Sequence, residues 1–419
     1  MKRRHFIRLA GLGTIAAAAF GSQPLSAQRP QGQRDGYGAS AQEPLCLTNA
    51  NVVDVRNGRV RPRAVLVLRH GKIASVGAGA APPGVKVFDL KGKYVLPGLI
   101  DCHAHLATLP AARLALESGV TMARCAGVAN YADVGLRELV RNGAVAGPDI
   151  SASGYQIRPD LMPEIFLSDP SLWSFMRGLS GPDSIRQVVR AILSHRVDLI
   201  KVLATERAGT PDTDPRKQTF SEAELRAVVE EAASAGIPVM AHAHGDEGAR
   251  AAVKAGVRSI EHGTYLSDET LALMRQKQTF YVPTYAGWLD GPVSSRNRAR
   301  HMGPRTRDVV RRARDMGISI AAGSDSSYAP TDFLRLSHEV VALVKAGLTP
   351  LEALQGATTV AAALLRVEKT TGALESGLDA DLIAVDGNPL EDPGVLEDVL
   401  LVVSNGRVGL DRLHAAKAE

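Results

Sequence analysis

Short stretches at both ends of the chain alternate apolar and polar positions with a period of two, and a different rhythm runs between them. Near the start, Leu45–Leu47, Ala50–Val55, Ala64–Leu68, Lys72–Val76 and Lys86–Leu90 have the length and residue types of strands. Asn57-Gly58 and His70-Gly71-Lys72 lie among them as turns. The other end mirrors this with 380–385, 399–403 and Arg407-Val408, the last two separated by Asn405-Gly406. The two clusters, residues 44–97 and 371–412, are expected to make one small β-sandwich. Between them, strand-like runs at 99–105, 119–124, 149–153, 197–203, 237–244, 257–262, 279–284 and 317–323 alternate with helical patterns. Among the helices, Ser221–Ala235 opens on a capping box of Ser221 and Glu224, and Gly245–Ala255 and Asp268–Gln276 follow. Eight strands alternating with helices over residues 98–370 is the count of a (β/α)8 barrel. The expected fold class is therefore α/β, a TIM-like barrel with an attached sandwich. Chemistry in such a barrel lies where strands end.

Composition agrees with a globular chain: 419 residues, 45% hydrophobic and 22% charged, supply ample core. The formal charge of +5 is misleading. Residues 1–27 hold Lys2, Arg3, Arg4 and Arg8 and no acid. Without them the balance is about +1, which gives no reason to expect a nucleic-acid partner. A charged start, a short apolar stretch from Leu9 to Phe20 and small residues up to Ala27 make 1–27 a secretory signal. Arg3-Arg4-His5-Phe6-Ile7 resembles a twin-arginine signal, which exports folded proteins, so the expected location is periplasmic or secreted. Residues 28–43 are a polar, glycine-rich linker. No other apolar run reaches the ~18 residues of a membrane helix, so no stable membrane span is expected. Cys46, Cys102 and Cys125 make neither a disulfide framework nor a cysteine-rich metal site.

The polar residues that close the strand-like runs carry the chemistry. Pro97-Gly-Leu-Ile-Asp-Cys-His103-Ala-His105 ends on two imidazoles that share a strand face and can close on one metal ion. Lys201 sits inside the apolar run Val197–Leu203, where a charge is costly. Burial near cations favours its neutral amine, which can take up CO2 to give a carbamate able to bridge two metals. His242 and His244 again share a face at the end of 237–244, His262 closes 257–262, and Asp325 follows 317–323. His5, His70, His195, His301, His338 and His414 are expected at solvent-facing or helix-surface positions.

In that order and spacing, His103-x-His105, Lys201, His242, His262 and Asp325 resemble the binuclear amidohydrolase superfamily. Ile200-Lys-Val202, Ala241-His-Ala-His-Gly245, Ile260-Glu-His-Gly263, Val282-Pro-Thr284 and Ala380-Asp-Leu382 are similar to its imidazolonepropionase-like, Xaa-Pro dipeptidase and ochratoxin-hydrolysing branch. The resemblance implies two divalent ions, zinc foremost among zinc, manganese, cobalt and iron. His103 and His105 would hold the more buried ion with Asp325, His242 and His262 the more exposed one, with carbamylated Lys201 between them. His244 is assigned near the substrate, although its spacing also allows it to replace His242. The implied reaction is cleavage of a C–N amide or peptide bond by metal-activated hydroxide, with Asp325 moving the proton. A dipeptide or N-acyl amino acid is the expected small-molecule substrate, and His244, Tyr155, Arg158, Arg207 and Tyr285 are candidates to meet its carboxylate. Many members carry Gly-Gly-His after the third strand. Residues 154–166 here hold no histidine, so no single relative's substrate is imported. The alternatives are a cyclic amidase, lactonase or deaminase using the same metals, or a non-catalytic barrel scaffold, which would have no need of Lys201 or Asp325. Barrel hydrolases often self-associate, which leaves a homo-oligomer open.

Overall fold

In the computed structural model, which describes residues 43–289, 296–332 and 334–413, two left-handed residues in a row fold each terminal stretch back on itself. His70-Gly71 and Asn405-Gly406 all have positive φ, between 50° and 75°, as a type I′ turn demands. The leader 1–27, the linker as far as Gln42, and the side chains of His5, His301 and His414 lie outside the described residues. The chain opens with β1 (Leu45–Asp54), β2 (Arg59–Arg69), β3 (Lys72–Gly77), β4 (Lys86–Asp89) and β5 (Tyr94–Pro97). Eight short strands follow: β6 (Leu99–Ala104), β7 (Val120–Cys125), β8 (Asp149–Ser151), β9 (Gln156–Ile157), β10 (Ile200–Leu203), β11 (Val239–Ala243), β12 (Ser259–His262) and β13 (Phe280–Val282). The end of the chain adds β14 (Leu382–Val385), β15 (Leu401–Ser404) and β16 (Arg407–Asp411).

The two terminal clusters do meet, but as one ladder rather than a sandwich of two sheets. Its order is β16-β15-β14-β5-β1-β2-β3, with β4 also on β1. One edge of β1 is divided, Leu45–Thr48 running beside β4 and Asn51–Val52 beside β5. The four-residue β5, absent from the alternation pattern, joins the N-terminal strands to β14. Leu47, Leu66, Ile73, Leu90, Leu382 and Leu401 fill the core beneath this sheet.

The middle of the chain makes two parallel sheets, β6-β7-β8 and β13-β12-β11-β10-β9. The expected closed barrel is not formed by these ladders, because the expected strand at 317–323 is not a strand. Only single bridges, Tyr281 to Ile320 and Ala104 to Ser326, link that segment to β13 and β6. Ala322 N–H donates to Gly356 O at 2.8 Å and, just past the segment, Ser324 N–H donates to the Asp101 carboxylate at 3.0 Å, neither to the main chain of a neighbouring strand, and Asp325 has a φ of +56°. The segment still lies between the two sheets, with Ala321 N–H donating to Tyr281 O at 2.9 Å and Cys102 N–H to Ala322 O at 3.0 Å. The expected run 149–153 is a strand only over β8, and the two-residue β9, which was not expected, follows it. The helices follow their patterns. Glu222–Ser234 starts at the Ser221–Glu224 capping box and buries Leu225, Ala227, Val228 and Ala232, while Asp246–Ala255 and Asp268–Lys277 occupy the other two expected stretches.

Gly98 stands where the terminal sheet passes into β6, its N–H donating to Asp381 O at 3.0 Å. A Cβ at this position would overlap the side chain of Thr121 on β7. Gly98→Ala is therefore expected to destabilise the protein by about 1–3 kcal/mol, the usual range for overpacking. A denaturation midpoint equal to that of the wild type would show that the junction is not tightly packed.

Candidate metal centre

β6, β10, β11 and β12 end on one side of the parallel sheets, and their terminal side chains converge. The ligand-type atoms of His103, His262 and Asp325 lie within 4.8 Å of one another, and so do those of His242, His244 and His262. His262 belongs to both groups, and its ring centroid is 4.9 Å from that of His103 and 4.5 Å from that of His242. His105 joins through Asp325, its Nε2 lying 3.0 Å from Oδ1. Lys201, on β10, is 2% exposed, and its Nζ has no hydrogen-bond partner.

The partners of the imidazoles fix which nitrogen is free. His103 Nδ1 is 2.8 Å from Glu261 Oε2 and His105 Nδ1 is 3.0 Å from Gly127 O. A carboxylate and a carbonyl can only accept, so the proton is on Nδ1 in both rings and the Nε2 lone pair faces the cluster. His244 and His262 also place Nδ1 on a protein oxygen, Thr264 Oγ1 at 2.9 Å and Thr284 Oγ1 at 2.7 Å. His242 is turned the other way. Its Nε2–H donates to Glu206 O at 3.4 Å, which leaves Nδ1 as the lone pair.

Burial sets the protonation of the group. Loss of water pushes His103 down to about 4 and His244 to about 3, with the nearby Lys201 adding to the effect, and holds His242 and His262 well below the ordinary 6.5. The same loss of water brings the Lys201 ammonium down to about 8, against the pull of Glu261 and Asp325. Burial would raise Glu261, but the Arg124 guanidinium beside it and the bond from His103 hold its carboxyl at about 2. Burial would raise Asp325 too, yet the imidazoles of His103 and His105 keep it below the usual carboxylate range. Neutral imidazoles, a readily deprotonated amine and a charged carboxylate in one pocket form the donor set that a divalent ion takes. The unpartnered Nζ of Lys201 fits the same group, since a carbamate built on it would carry the missing oxygen ligands.

All six expected ligands, His103, His105, Lys201, His242, His262 and Asp325, thus end in this region. His244 lies among them, and the wall behind it is Trp288, whose ring centroid is 5.9 Å away. The other expected substrate contacts are not gathered in the same way. Tyr155 is buried, its hydroxyl donating to Asn130 Oδ1 at 3.0 Å and its ring against Tyr131. Tyr285 is buried and offers its main-chain N–H to Glu339 at 2.9 Å. Arg158 is half-buried, whereas Arg207 is exposed on the residue after Glu206, whose carbonyl meets His242. Of the histidines expected at the surface, His70 is exposed, but His195 stacks on Tyr131 at 3.7 Å and pairs with Asp169, and His338 Nδ1 accepts from Arg335 N.

Glu261 and Arg124 are the residues that the pattern missed. Arg124, on β7, donates to Cys102 O, to Ser259 Oγ and, at 2.9 Å, to Glu261 Oε1, so it crosses from one parallel sheet to the other. Glu261 and His262 are neighbours in sequence, and strict alternation would place them on opposite faces. A φ of +72° at His262 breaks that alternation at the strand end. The available signal was the one that marked Lys201: a charge inside an apolar strand.

A buried cluster of metal-ready imidazoles and a carboxylate at the ends of parallel strands defines a metal-dependent hydrolase acting on carbon–nitrogen bonds. The chain belongs to the amidohydrolase family, whose model matches residues 94–409. It is 29% identical to ochratoxinase of Aspergillus niger over 392 residues, covering 82% of this chain and 81% of that one. With imidazolonepropionase of Symbiobacterium thermophilum it shares 28% over 377 residues, covering 78% and 85%. Among solved structures it is similar to a Xaa-Pro dipeptidase with methionine bound in the active site, with a TM-score of 0.77 and 30% identity over 87% of this chain and 99% of that one.

Two outcomes follow from the buried network. Glu261→Gln leaves Arg124 buried without an opposite charge and His103 without its fixed tautomer, so metal affinity is expected to fall by about 10–100-fold in a chelator-competition titration. Unchanged affinity would remove Glu261 from the centre. In metal-free protein the folded imidazoles refuse protons that the unfolded chain takes up below its ordinary 6.5. Stability is therefore expected to be full above pH 6.5 and to fall as the pH drops towards 4, the value of His103. A Tm that stays level across that window in chelator-treated protein would contradict neutral buried rings.

Proposed function

We propose that the protein hydrolyses the amide bond of a dipeptide or N-acyl amino acid, releasing an amino acid with a free carboxylate. The observation that carries this reading is the meeting of two three-residue ligand groups, sharing His262, beside the unpartnered amine of Lys201. His103, His105 and Asp325 would hold one divalent ion and His242 and His262 another, with the carbamate of Lys201 between them; zinc is our first choice. Bound there, the pair would acidify a water molecule and polarise the scissile carbonyl. Asp325, low in pKa and at the open side of the cluster, takes the proton from the water as its oxygen adds to the carbonyl carbon. The same carboxyl then delivers that proton to the leaving nitrogen as the C–N bond breaks, so OH and H are added across the bond. His244, fixed through Thr264 with Nε2 facing the cluster, hydrogen-bonds the substrate carbonyl or carboxylate. Arg207 is the better placed of the two arginines to pair with that carboxylate, because it is exposed and follows the residue against His242.

The wider setting belongs to the same proposal. The two parallel sheets and segment 317–326 act as the staves of a (β/α)8 barrel over residues 98–370, with 44–97 and 371–412 forming the accompanying β domain. Residues 1–27 direct export by a twin-arginine route to the periplasm or beyond. Among the described residues no helix is long and apolar enough to cross a membrane.

A panel of N-acyl amino acids and dipeptides, tested on zinc-loaded protein alongside cyclic amides and lactones, decides the substrate class. Release of a free amino acid is expected, and Asp325→Asn should lower kcat by about 10²–10⁴-fold, the usual weight of a proton carrier. Lys201→Ala should lose activity together with bound metal. Ring opening of lactones without any amine release would replace this reading by the cyclic-substrate alternative.

A further inference from the structure

We propose that Asp101, which neither binds metal nor meets substrate in the reading above, is a positioning residue that clamps the turn carrying Asp325 and so sets where that carboxylate stands. Asp101 is wholly buried in the middle of β6, and its two oxygens accept four hydrogen bonds. Oδ1 takes the main-chain N–H groups of His103 at 3.1 Å and Ser324 at 3.0 Å. Oδ2 takes the hydroxyls of Ser324 at 2.6 Å and Tyr328 at 2.8 Å. The last three donors bracket Asp325 on both sides.

Asp325 itself holds a φ of +56°, and Tyr328 one of +51°. Residues other than glycine stay in that region only where their surroundings over-determine it. Asp101 supplies much of that determination. The Ser324 Oγ that donates to it accepts the N–H of Ser326 at 3.1 Å, while Asp325 N–H donates to His103 O at 2.7 Å. The turn therefore hangs from the strand that carries His103 and His105. The Asp325 side chain is 40% exposed, and its carboxylate meets those two rings, His105 Nε2 at 3.0 Å and His103 Nε2 at 3.4 Å. Among the described residues the carboxylate has no other hydrogen bond or ion pair, so its position is inherited from the backbone that Asp101 fixes. A carboxylate that accepts four donors at once has no spare capacity for a ligand of its own.

This rests on Asp325 being the proton carrier, but the clamp has readouts of its own. In the full zinc-loaded chain, Asp101→Ala is expected to lower kcat per bound ion by on the order of 100-fold while leaving KM within about threefold, the signature of a displaced catalytic group. Asp101→Asn keeps an oxygen for both main-chain N–H groups and an amide for the two hydroxyls to accept from, so kcat should stay within about tenfold of wild type. A crystal structure of Asp101→Ala should show Asp325 out of the left-handed region and away from His105. Should Asp101→Ala fail to fold, Ser324→Ala, which removes one donor and the acceptor for Ser326, is expected to lower kcat per ion by about tenfold. A lower Tm with kcat per ion unchanged, an unmoved Asp325, or Asp101→Asn as inactive as Asp101→Ala would each overturn the proposal. If wild-type protein turns over no amide, the position of Asp325 in the Asp101→Ala crystal still decides the clamp, and the reaction assignment fails separately.

Discussion

The buried contact between Glu261 and Arg124 holds the rest of the site in place. With the bonds from His103 to Glu261 and from Arg124 to Ser259, it ties together through the interior two parallel sheets that share no ladder. Glu261 faces Arg124 with one oxygen and His103 with the other, so a single carboxylate satisfies a buried cation and fixes the tautomer of an imidazole. Each charge would be costly alone in that interior. Together, with Ser259 and the carbonyl of Cys102 completing the donors of Arg124, they make an arrangement from which neither member can be removed without stranding the other.

From that contact the state of the whole cluster follows. Five imidazoles lie close together, four of them buried, and loss of solvation keeps those four unprotonated near neutral pH. Their lone pairs therefore stay available, and the acceptors behind them decide which nitrogen is offered. His103 and His105 present Nε2 and His242 presents Nδ1, a difference traceable to one carbonyl, that of Glu206. Lys201 obeys the same rule: burial makes its amine easier to deprotonate and leaves Nζ without a partner. A cluster of this kind repels added protons and welcomes compact dications.

Much of this was legible in the chain itself, and the failures have physical causes. The HxH pairs at 103–105 and 242–244, the lone charge of Lys201 in an apolar run, and the strand-end positions of His262 and Asp325 all announced themselves by spacing. Glu261 did not, because reading it needs the backbone turn at His262 that no period-two rule contains. Segment 317–323 looked like an eighth strand because Ile318, Ile320 and Ala322 alternate. Its Ala322 N–H goes instead to Gly356 O, and Ser324 just beyond it donates to a side chain of β6, long-range contacts that local pattern cannot reveal. Tyr155 was a reasonable pocket residue by position, but its hydroxyl is held by Asn130. The twin clusters of β signals share one sheet, an arrangement that depends on β5, too short to stand out.

Anomalous diffraction from crystals of the protein loaded with zinc, recorded on both sides of the zinc edge, tests the central claim most directly. Two peaks are expected, one bonded by His103, His105 and Asp325 and one by His242 and His262, with density beyond Nζ of Lys201 bridging them. No anomalous peak among these residues, or zinc bound only elsewhere on the chain, would contradict the account.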